Sequence, residues 1–232
     1  MVDSNISSVI RFGDQISFFN ETIFGFLTAD GLVDEKLVVE ELDRCNTPPQ
    51  EFESCVFKFE APLNYFHQQK FEEYLRNNHG SDFAHTKDVL SELEKEASVE
   101  VEQNKEIMNL NRGRELRYGQ AFQLLHMQSK KYVTCIGEVE DGVGPISAAI
   151  DGNETMAANE VPIRLLRGSP DSLLKLKSPN GAKQDSELVL RGDLVWIVPV
   201  FNPKITIRTG KNMLAAAGSE AARAGRNSKA TR

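Results

Sequence analysis

The sequence has few of the residues that disulfide-rich, metal-binding or membrane proteins require. It contains three cysteines in 232 residues, and none is spaced as CxxC or CxxH, so neither a disulfide framework nor a zinc site is indicated. No apolar run approaches the roughly 18 residues of a membrane-spanning helix. No signal-peptide pattern opens the chain, because Asp3 and the polar residues after it interrupt any apolar stretch. We therefore expect reduced thiols and a soluble chain in the cytosol.

Negative charge outweighs positive charge except near the end of the chain. The formal net charge is −7, which argues against non-specific binding of nucleic acid. Seven lysines or arginines and one glutamate lie from residue 203 onward, so the rest of the chain is strongly acidic. Residues 219–232 have no large apolar side chain, and they are expected to form a disordered basic tail. A solubilising role is favoured for this tail over binding to anionic lipid or RNA.

Catalytic and metal-binding arrangements are also missing. The histidines show no HExxH or HxH spacing, and no pattern pairs the carboxylates for acid–base chemistry. His126 lies between a strand and its turn, and we interpret it as a buried or turn histidine whose ring nitrogens are hydrogen-bonded. No Ser-His-Asp or Cys-His arrangement can be assembled. The sequence therefore predicts a protein that is not an enzyme and that has no cofactor and no bound metal.

What the sequence does contain is one strand pair that occurs three times. Each copy opens at a turn glycine, Gly13, Gly119 or Gly192, and an apolar run of β-type residues follows. The clearest copy covers residues 117–137, where two apolar runs flank the turn Gln128-Ser129-Lys130. The third copy is the weakest, and its second strand is predicted at residues 213–217.

A fourth strand also repeats, at residues 54–59 and 172–177. Four strands repeated three times predict a mainly β fold, the β-trefoil, in which a short closed barrel removes exposed sheet edges. The third repeat is incomplete, because no copy of the fourth strand follows Gly218. Trp196 and Tyr132 are assigned to the barrel. The other side chains predicted to face its interior are Ile16, Phe18, Leu27, Val38, Phe57, Phe122, Leu124, Val133, Leu174, Val195 and Ile197.

Residues 66–116 have a different residue pattern, with apolar side chains at helical spacing. They predict two helices of unequal length, inserted between the first two strand copies. The longer helix is predicted to begin with Thr86 as its N-cap. Its apolar face would be formed by Val89, Leu90, Leu93, Ala97, Val101 and Met108. The opposite face is acidic and is expected to be solvated, a docking surface being the less favoured alternative; it consists of Glu92, Glu94, Glu96, Glu100, Glu102 and Glu106.

Four segments carry a resemblance to a known family. They are GFLTADGLVDEKLVV at 25–39, PPQEFESCVFKF at 48–59, YGQAFQLLHMQSKKYVT at 118–134 and GDLVWIVPV at 192–200. They resemble the N-terminal suppressor domain of the inositol trisphosphate receptor, a calcium-release channel of the endoplasmic reticulum that is related to the ryanodine receptors. The resemblance implies one β-trefoil domain over residues 1–218, with its helical arm at 66–116; it does not extend to the tail at 219–232.

The resemblance also implies a function. Such a domain precedes the ligand-binding core of a tetrameric channel at the cytosolic face of the membrane, lowers the core's affinity for inositol trisphosphate, and couples ligand binding to gating. The residues that bind inositol trisphosphate would lie outside this chain. The implied partners are the ligand-binding core, neighbouring subunits and calmodulin-like calcium sensors, the last at segments near 49–82 and 106–128.

One loop of the family contacts a neighbouring subunit through an aromatic residue, in a stretch that reads roughly Ser-Trp-Phe-Tyr-Ile. This chain has Ser172-Leu173-Leu174-Lys175-Leu176 there. By resemblance, Leu173, Leu174 and Lys175 are therefore the predicted suppression and subunit-interface residues, with Lys175 in place of the tyrosine. A free-standing β-trefoil that binds proteins or carbohydrates is the alternative, although the only tryptophan, Trp196, lies outside any Gln-x-Trp motif.

Overall fold

The computed structural model describes residues 8–21, 23–29, 36–42, 52–78, 83–135, 147–149, 163–201, 206–208 and 214–216. These residues form a mainly β structure with two helices, as the sequence predicts. Within this part of the chain, no helix has the length and apolar character needed to cross a membrane.

The strands are β1 (Gln15–Ile16), β2 (Phe18–Asn20), β3 (Gly25–Ala29), β4 (Leu37–Glu41), β5 (Phe57–Glu60), β6 (Ala121–His126), β7 (Tyr132–Cys135), β8 (Ser147–Ala149), β9 (Ile163–Leu166), β10 (Leu174–Lys177), β11 (Leu194–Pro199), β12 (Thr206–Arg208) and β13 (Leu214–Ala216).

Strand pairing forms a closed circuit. β1 and β2 are one strand interrupted at Ser17, and β1 pairs with β5, which pairs with β6. The order continues through β10 and β11 to β13. β13 then pairs with β2, where Ala215 lies opposite Phe19, so the circuit ends on the strand with which it began. With β1 and β2 counted as one strand, every strand in the circuit therefore pairs with a neighbouring strand on each side.

Apolar side chains at alternate strand positions fill the interior of this circuit. The rings of Phe59 and Phe122 meet edge to face with centroids 4.9 Å apart, and Phe18 packs against both Phe57 and Phe59. Ile16 packs against the core and is partly buried. The other predicted interior residues that the structure confirms are Phe18, Leu27, Phe57, Phe122, Leu124, Val133, Leu174, Val195 and Ile197.

The prediction for Val38 is wrong, because the alternation in β4 is shifted by one residue. Leu37 pairs with Ala29 and Val39 with Leu27, and residues paired across strands share a face. Leu37 is buried, Val39 packs against the core, and Val38 faces the other side.

Tyr132 and Trp196 are not interior residues either. Each precedes a buried neighbour in its strand, Val133 or Ile197, and each is itself only half-buried. The hydroxyl of Tyr132 donates a hydrogen bond to the carboxylate of Glu60 at 2.6 Å. Both side chains therefore lie on the outer side of their strands, because successive residues of a strand point to opposite faces.

The third strand copy differs from its prediction. The segment predicted at 213–217 is observed as β13, but it occupies the closing position between β11 and β2 and not the position of a second strand. The strand β12, which the sequence did not predict, pairs with β11 through Ile207 and Ile197 and runs parallel to β8. The closing position is thus filled by residues that precede Gly218. Residues 217–232, with the predicted domain end and tail, lie outside the described residues.

The predicted helical arm is confirmed as α1 (Phe66–Asn77) and α2 (Phe83–Asn111). Thr86 is not the N-cap, because α2 begins three residues before it. The predicted apolar face of α2 is only partly right: Leu93 is buried, but Val89 and Val101 are each 43% exposed. The stripe that packs inward instead runs through Leu93, Glu100, Asn104 and Ile107 and is half polar.

Candidate functional site

Among the residues that the structure describes, no group of three or more His, Cys, Asp or Glu side chains could hold a metal ion. The described residues instead form contact surfaces, together with buried polar groups that hold those surfaces in position. Two surfaces were singled out by the sequence: the helical arm, and the segment that leads into β10.

The segment that leads into β10 is a short 3₁₀ turn, Pro170–Ser172, with a reciprocal cap at Ser169. The Ser172 hydroxyl donates to the Ser169 carbonyl at 2.5 Å and accepts from the Ser169 N–H at 3.1 Å. The turn holds the chain so that Leu173 is half-buried at its end, Leu174 is fully buried, and Lys175 is half-buried on the outer side of β10. Leu173 and Lys175 are therefore available for contact, whereas Leu174 belongs to the core.

A buried polar network joins this turn to the base of the helical arm. The hydroxyl of Tyr65, immediately before α1, lies 3.0 Å from Oε1 and 2.8 Å from Nε2 of Gln123 in β6. Nε2 of Gln123 also donates to the Ser172 hydroxyl at 2.5 Å, and the Leu63 N–H donates to Oε1 at 3.3 Å. Gln123 and Ser172 are completely buried, so these bonds form in a medium that penalises any unpaired partner.

The packing around Tyr65 fixes both its position and its protonation. A Cβ atom at Gly168 would collide with the Tyr65 hydroxyl, so only glycine allows the backbone before the 3₁₀ turn to approach this ring. Burial raises the pKa of Tyr65 to about 12, against the opposing effect of its hydrogen bonds. The hydroxyl therefore keeps its proton at neutral pH and remains a donor in the network.

The helical arm is held together by polar contacts of α2 with the start of α1. Both carboxylate oxygens of Glu100 accept backbone N–H groups of α1, from His67 at 3.0 Å and from Gln68 at 3.1 Å. Asn104 exchanges two hydrogen bonds with the backbone of Asn64, at 2.9 and 2.7 Å. Glu100 is only 3% exposed, so the expectation that the acidic face of α2 is solvated fails at this residue. The carboxylate instead satisfies N–H groups that the first turn of any helix leaves unpaired.

His126, at the end of β6, is a buried residue with both ring nitrogens engaged, as predicted. Nε2 lies 2.9 Å from the Ser54 carbonyl and Nδ1 lies 2.8 Å from the Ser129 hydroxyl. Because a carbonyl only accepts, the proton belongs on Nε2. Burial lowers the pKa of His126 and so favours the neutral ring, in which Nδ1 can accept the Ser129 N–H at 3.3 Å.

The sequence pattern that defines the inositol 1,4,5-trisphosphate/ryanodine receptor family matches residues 5–141. The chain belongs to this family. It is 34% identical over 141 residues to the inositol 1,4,5-trisphosphate receptor itr-1 of Caenorhabditis elegans; the aligned part is 57% of this chain and 5% of the relative. The chain therefore spans a small part of the receptor's length. The predicted relation to the N-terminal domain of an inositol trisphosphate receptor is confirmed.

The residues that match the inositol 1,4,5-trisphosphate/ryanodine receptor family include only part of the polar network. Tyr65 and Gln123 lie inside the matched residues, as does the whole helical arm, whereas Ser172 and the predicted interface residues lie beyond residue 141. The roles of Leu173, Leu174 and Lys175 therefore stay predictions.

Sequence reasoning missed the residues that build this junction: Gln123, Ser172, Gly168, Glu100 and Asn104. Gln123 stands between Phe122 and Leu124, where strand alternation predicts a solvent-facing polar residue. The signal that could have shown its burial is the length of the apolar run in β6, because a strand that is buried on both faces shows no strict alternation of apolar and polar residues.

Proposed function

We propose that this chain is a regulatory N-terminal domain of a ligand-gated calcium-release channel at the cytosolic face of the endoplasmic reticulum membrane. In this role it lowers the affinity of the adjacent ligand-binding core for inositol trisphosphate and couples ligand binding to gating within a tetramer. The observation that carries the proposal is the family match over residues 5–141, which encloses the helical arm and the barrel strands on either side of it.

The proposed architecture is a β-trefoil with a helical arm. The support for it is the closed strand circuit, flanked by the antiparallel pairs β3–β4 and β7–β9 and by the β12–β8 pair. Such a scaffold holds the arm and the segment before β10 in fixed positions, and regulation acts through the surfaces that it presents.

Within that scaffold, the proposed contact with a neighbouring subunit uses Leu173 and Lys175. Both are partly accessible and follow directly on the turn that Ser172 and Gln123 hold in place. Leu174 contributes by anchoring the segment in the core, where it is fully buried. The family tyrosine is replaced by a lysine, so this contact would be made by a charge and an aliphatic stem and not by an aromatic ring.

The test is to fuse this domain to the ligand-binding core of its receptor and to titrate inositol trisphosphate into the core with and without it. Coupling between regulatory and ligand sites is typically about 1–3 kcal/mol, so the expected decrease in affinity is about 5–150-fold. Unchanged affinity would remove the suppression claim.

Two variants, one at the proposed contact and one on the helical arm, then locate the contact. Lys175→Glu, combined with Leu173→Asp, should recover a measurable part of the lost affinity in the fusion. Lys105→Glu, at an exposed lysine on α2, should leave suppression as it is in the unmodified domain. Equal effects of the two variants would show that general charge, and not the segment before β10, is responsible.

Calmodulin-like calcium sensors are proposed as further partners, with the helical arm and its flanks as their surface. A pull-down with and without calcium tests this. A glycan array run on the same preparation tests the alternative of a carbohydrate-binding module, for which the partly exposed Trp196 would be the first residue to substitute.

A further inference from the structure

Four phenylalanines form a partly exposed cluster on the outer side of the first strand copy. The rings of Phe19 and Phe26, which are paired across β2 and β3, have centroids 5.1 Å apart. Phe24 meets Phe19 edge to face at 5.3 Å, and Phe52 meets Phe26 in the same way at 5.5 Å. Phe52 is 39% exposed and the other three are half-buried. We call these residues the phenylalanine patch.

The phenylalanine patch includes a strained residue. Phe24 has a φ of 60°, in the left-handed region that an aromatic residue rarely adopts. The turn that imposes this conformation is fixed by Asn20, which accepts the N–H of Phe24 through its carbonyl and that of Ile23 through its side chain. Such conformations are kept where the surroundings require them, and they occur often at binding surfaces. Here the strained turn places the Phe24 ring beside Phe19.

The surroundings of the patch are acidic. Glu40 lies opposite Phe26 in the strand register, Glu21 follows β2, and Glu53 adjoins Phe52. All three are exposed. No salt bridge that joins two described residues involves any of them. Aromatic faces and carboxylates both attract cations, so the patch is complementary to a segment rich in arginine and lysine.

The chain carries such a segment shortly after a strand that is paired beside the patch. Residues 219–232 contain Arg223, Arg226, Lys229 and Arg232 at a regular spacing of three, with one glutamate. The last described residue before them, Ala216, is paired with Phe18, next to the patch residue Phe19. Paired strands lie about 4.8 Å apart, and fourteen extended residues reach about 45 Å, so the patch is well within range.

We propose that the basic segment 219–232 binds the phenylalanine patch of its own chain, with guanidinium groups over the phenylalanine rings and near the acidic side chains around them. In a polyproline II conformation, cations three residues apart lie on the same side of the chain about 9 Å from each other, a distance close to two of the ring spacings in the patch.

The test uses the full chain and measures backbone ¹⁵N order parameters of residues 219–232 by NMR. In the unmodified protein we expect order parameters above about 0.6 near Arg223 and Arg226. In the double variant Phe26→Thr with Phe52→Ser, we expect the order parameters of the same residues to fall below about 0.6, which is the flexible range. Glu21→Lys with Glu40→Lys and Glu53→Lys should have the same effect. Titration of salt into the unmodified protein should also release the segment, a result that does not depend on how any variant folds.

Two matched controls separate this site from general attraction. Phe66→Ser removes a phenylalanine that is 69% exposed on the helical arm, and Glu92→Lys with Glu94→Lys and Glu102→Lys reverses three exposed charges on α2. Both should leave the segment ordered. Flexible values in the unmodified protein would overturn the proposal. So would release by the arm variants equal to that by the patch variants, or order that depends on protein concentration, which indicates a second copy as the occupant.

Discussion

Gln123 joins three segments that are distant in sequence. Its amide contacts the Leu63 N–H, the Tyr65 hydroxyl and the Ser172 hydroxyl, and it is itself completely buried. Because the entry to α1 and the turn before β10 both depend on this one side chain, a change at either surface can affect the other through it.

Replacement of Gln123 by leucine should lower the free energy of unfolding by about 1–3 kcal/mol, because the substitution leaves buried donors and acceptors unpaired without creating a large cavity. Urea denaturation of the two proteins measures the difference. Gln69→Leu, at an exposed position of α1, is the control and should stay within about 0.5 kcal/mol of the unmodified protein. A stability of Gln123→Leu equal to that of the control would mean that the network does not contribute.

The burial of individual side chains could be predicted where apolar and polar residues alternate regularly along a strand. It could not be predicted where polar side chains are buried. Phe18, Phe57 and Leu124 follow their strand pattern and are interior as predicted. The prediction for Val38 failed because Leu37, Val38 and Val39 are all apolar, so the pattern does not show which alternate positions face inward. Gln123 failed for a different reason: whether a buried amide is tolerated depends on partners up to 60 residues away, which no local pattern reveals.

At the scale of elements, α1 is unusual in that none of its residues is buried. Polar contacts with α2 hold the start of the helix: Glu100 binds two N–H groups of its first turn, and Asn104 binds the backbone of Asn64 just before it. The sequence predicted both helices but only part of the inward face of α2, since a stripe that contains Glu100 and Asn104 does not register as apolar periodicity.

Glu100→Ala should loosen α1 selectively. With two N–H groups of its first turn unpaired, the helix loses about 1–3 kcal/mol of local stability, and its amides should exchange with solvent faster while those of β6 and β10 keep their rates. Hydrogen exchange followed by mass spectrometry measures this by segment. Glu102→Ala removes an exposed glutamate two residues away, whose salt bridge is with Lys105 on the surface, and it should leave the exchange of α1 unchanged. Faster exchange throughout the barrel in Glu100→Ala would contradict the local role.

At the scale of the whole molecule, the fold depends on the closure of the strand circuit by β13. The repeats predicted a mainly β protein with an inserted arm, and both were found. They could not predict that Leu214–Ala216 closes the circuit, because a short segment of leucine and alanine has little intrinsic strand preference and its place is fixed by partners near residue 18 and residue 195.

Ala215→Pro tests that closure. Proline removes a backbone donor and is poorly accommodated between two partner strands, so we expect a loss of about 1–3 kcal/mol and faster amide exchange in β2 and β11. Ala149→Pro makes the same change in β8, whose one partner among the described strands is β12, outside the circuit, and it should cost less. If the two variants have equal stability, β13 does not close the barrel in solution.

The pairing of β13 with β2 also has a consequence for synthesis. Phe19 leaves the ribosome almost 200 residues before its partner Ala215, and at about 5–20 residues per second the interval is roughly 10–40 s. During that time the free edge of β2 and the rings of the phenylalanine patch belong to an open sheet on the nascent chain. A chaperone that engages strand edges would thus meet this domain in its incomplete form, and the synthesis of β13 would release it.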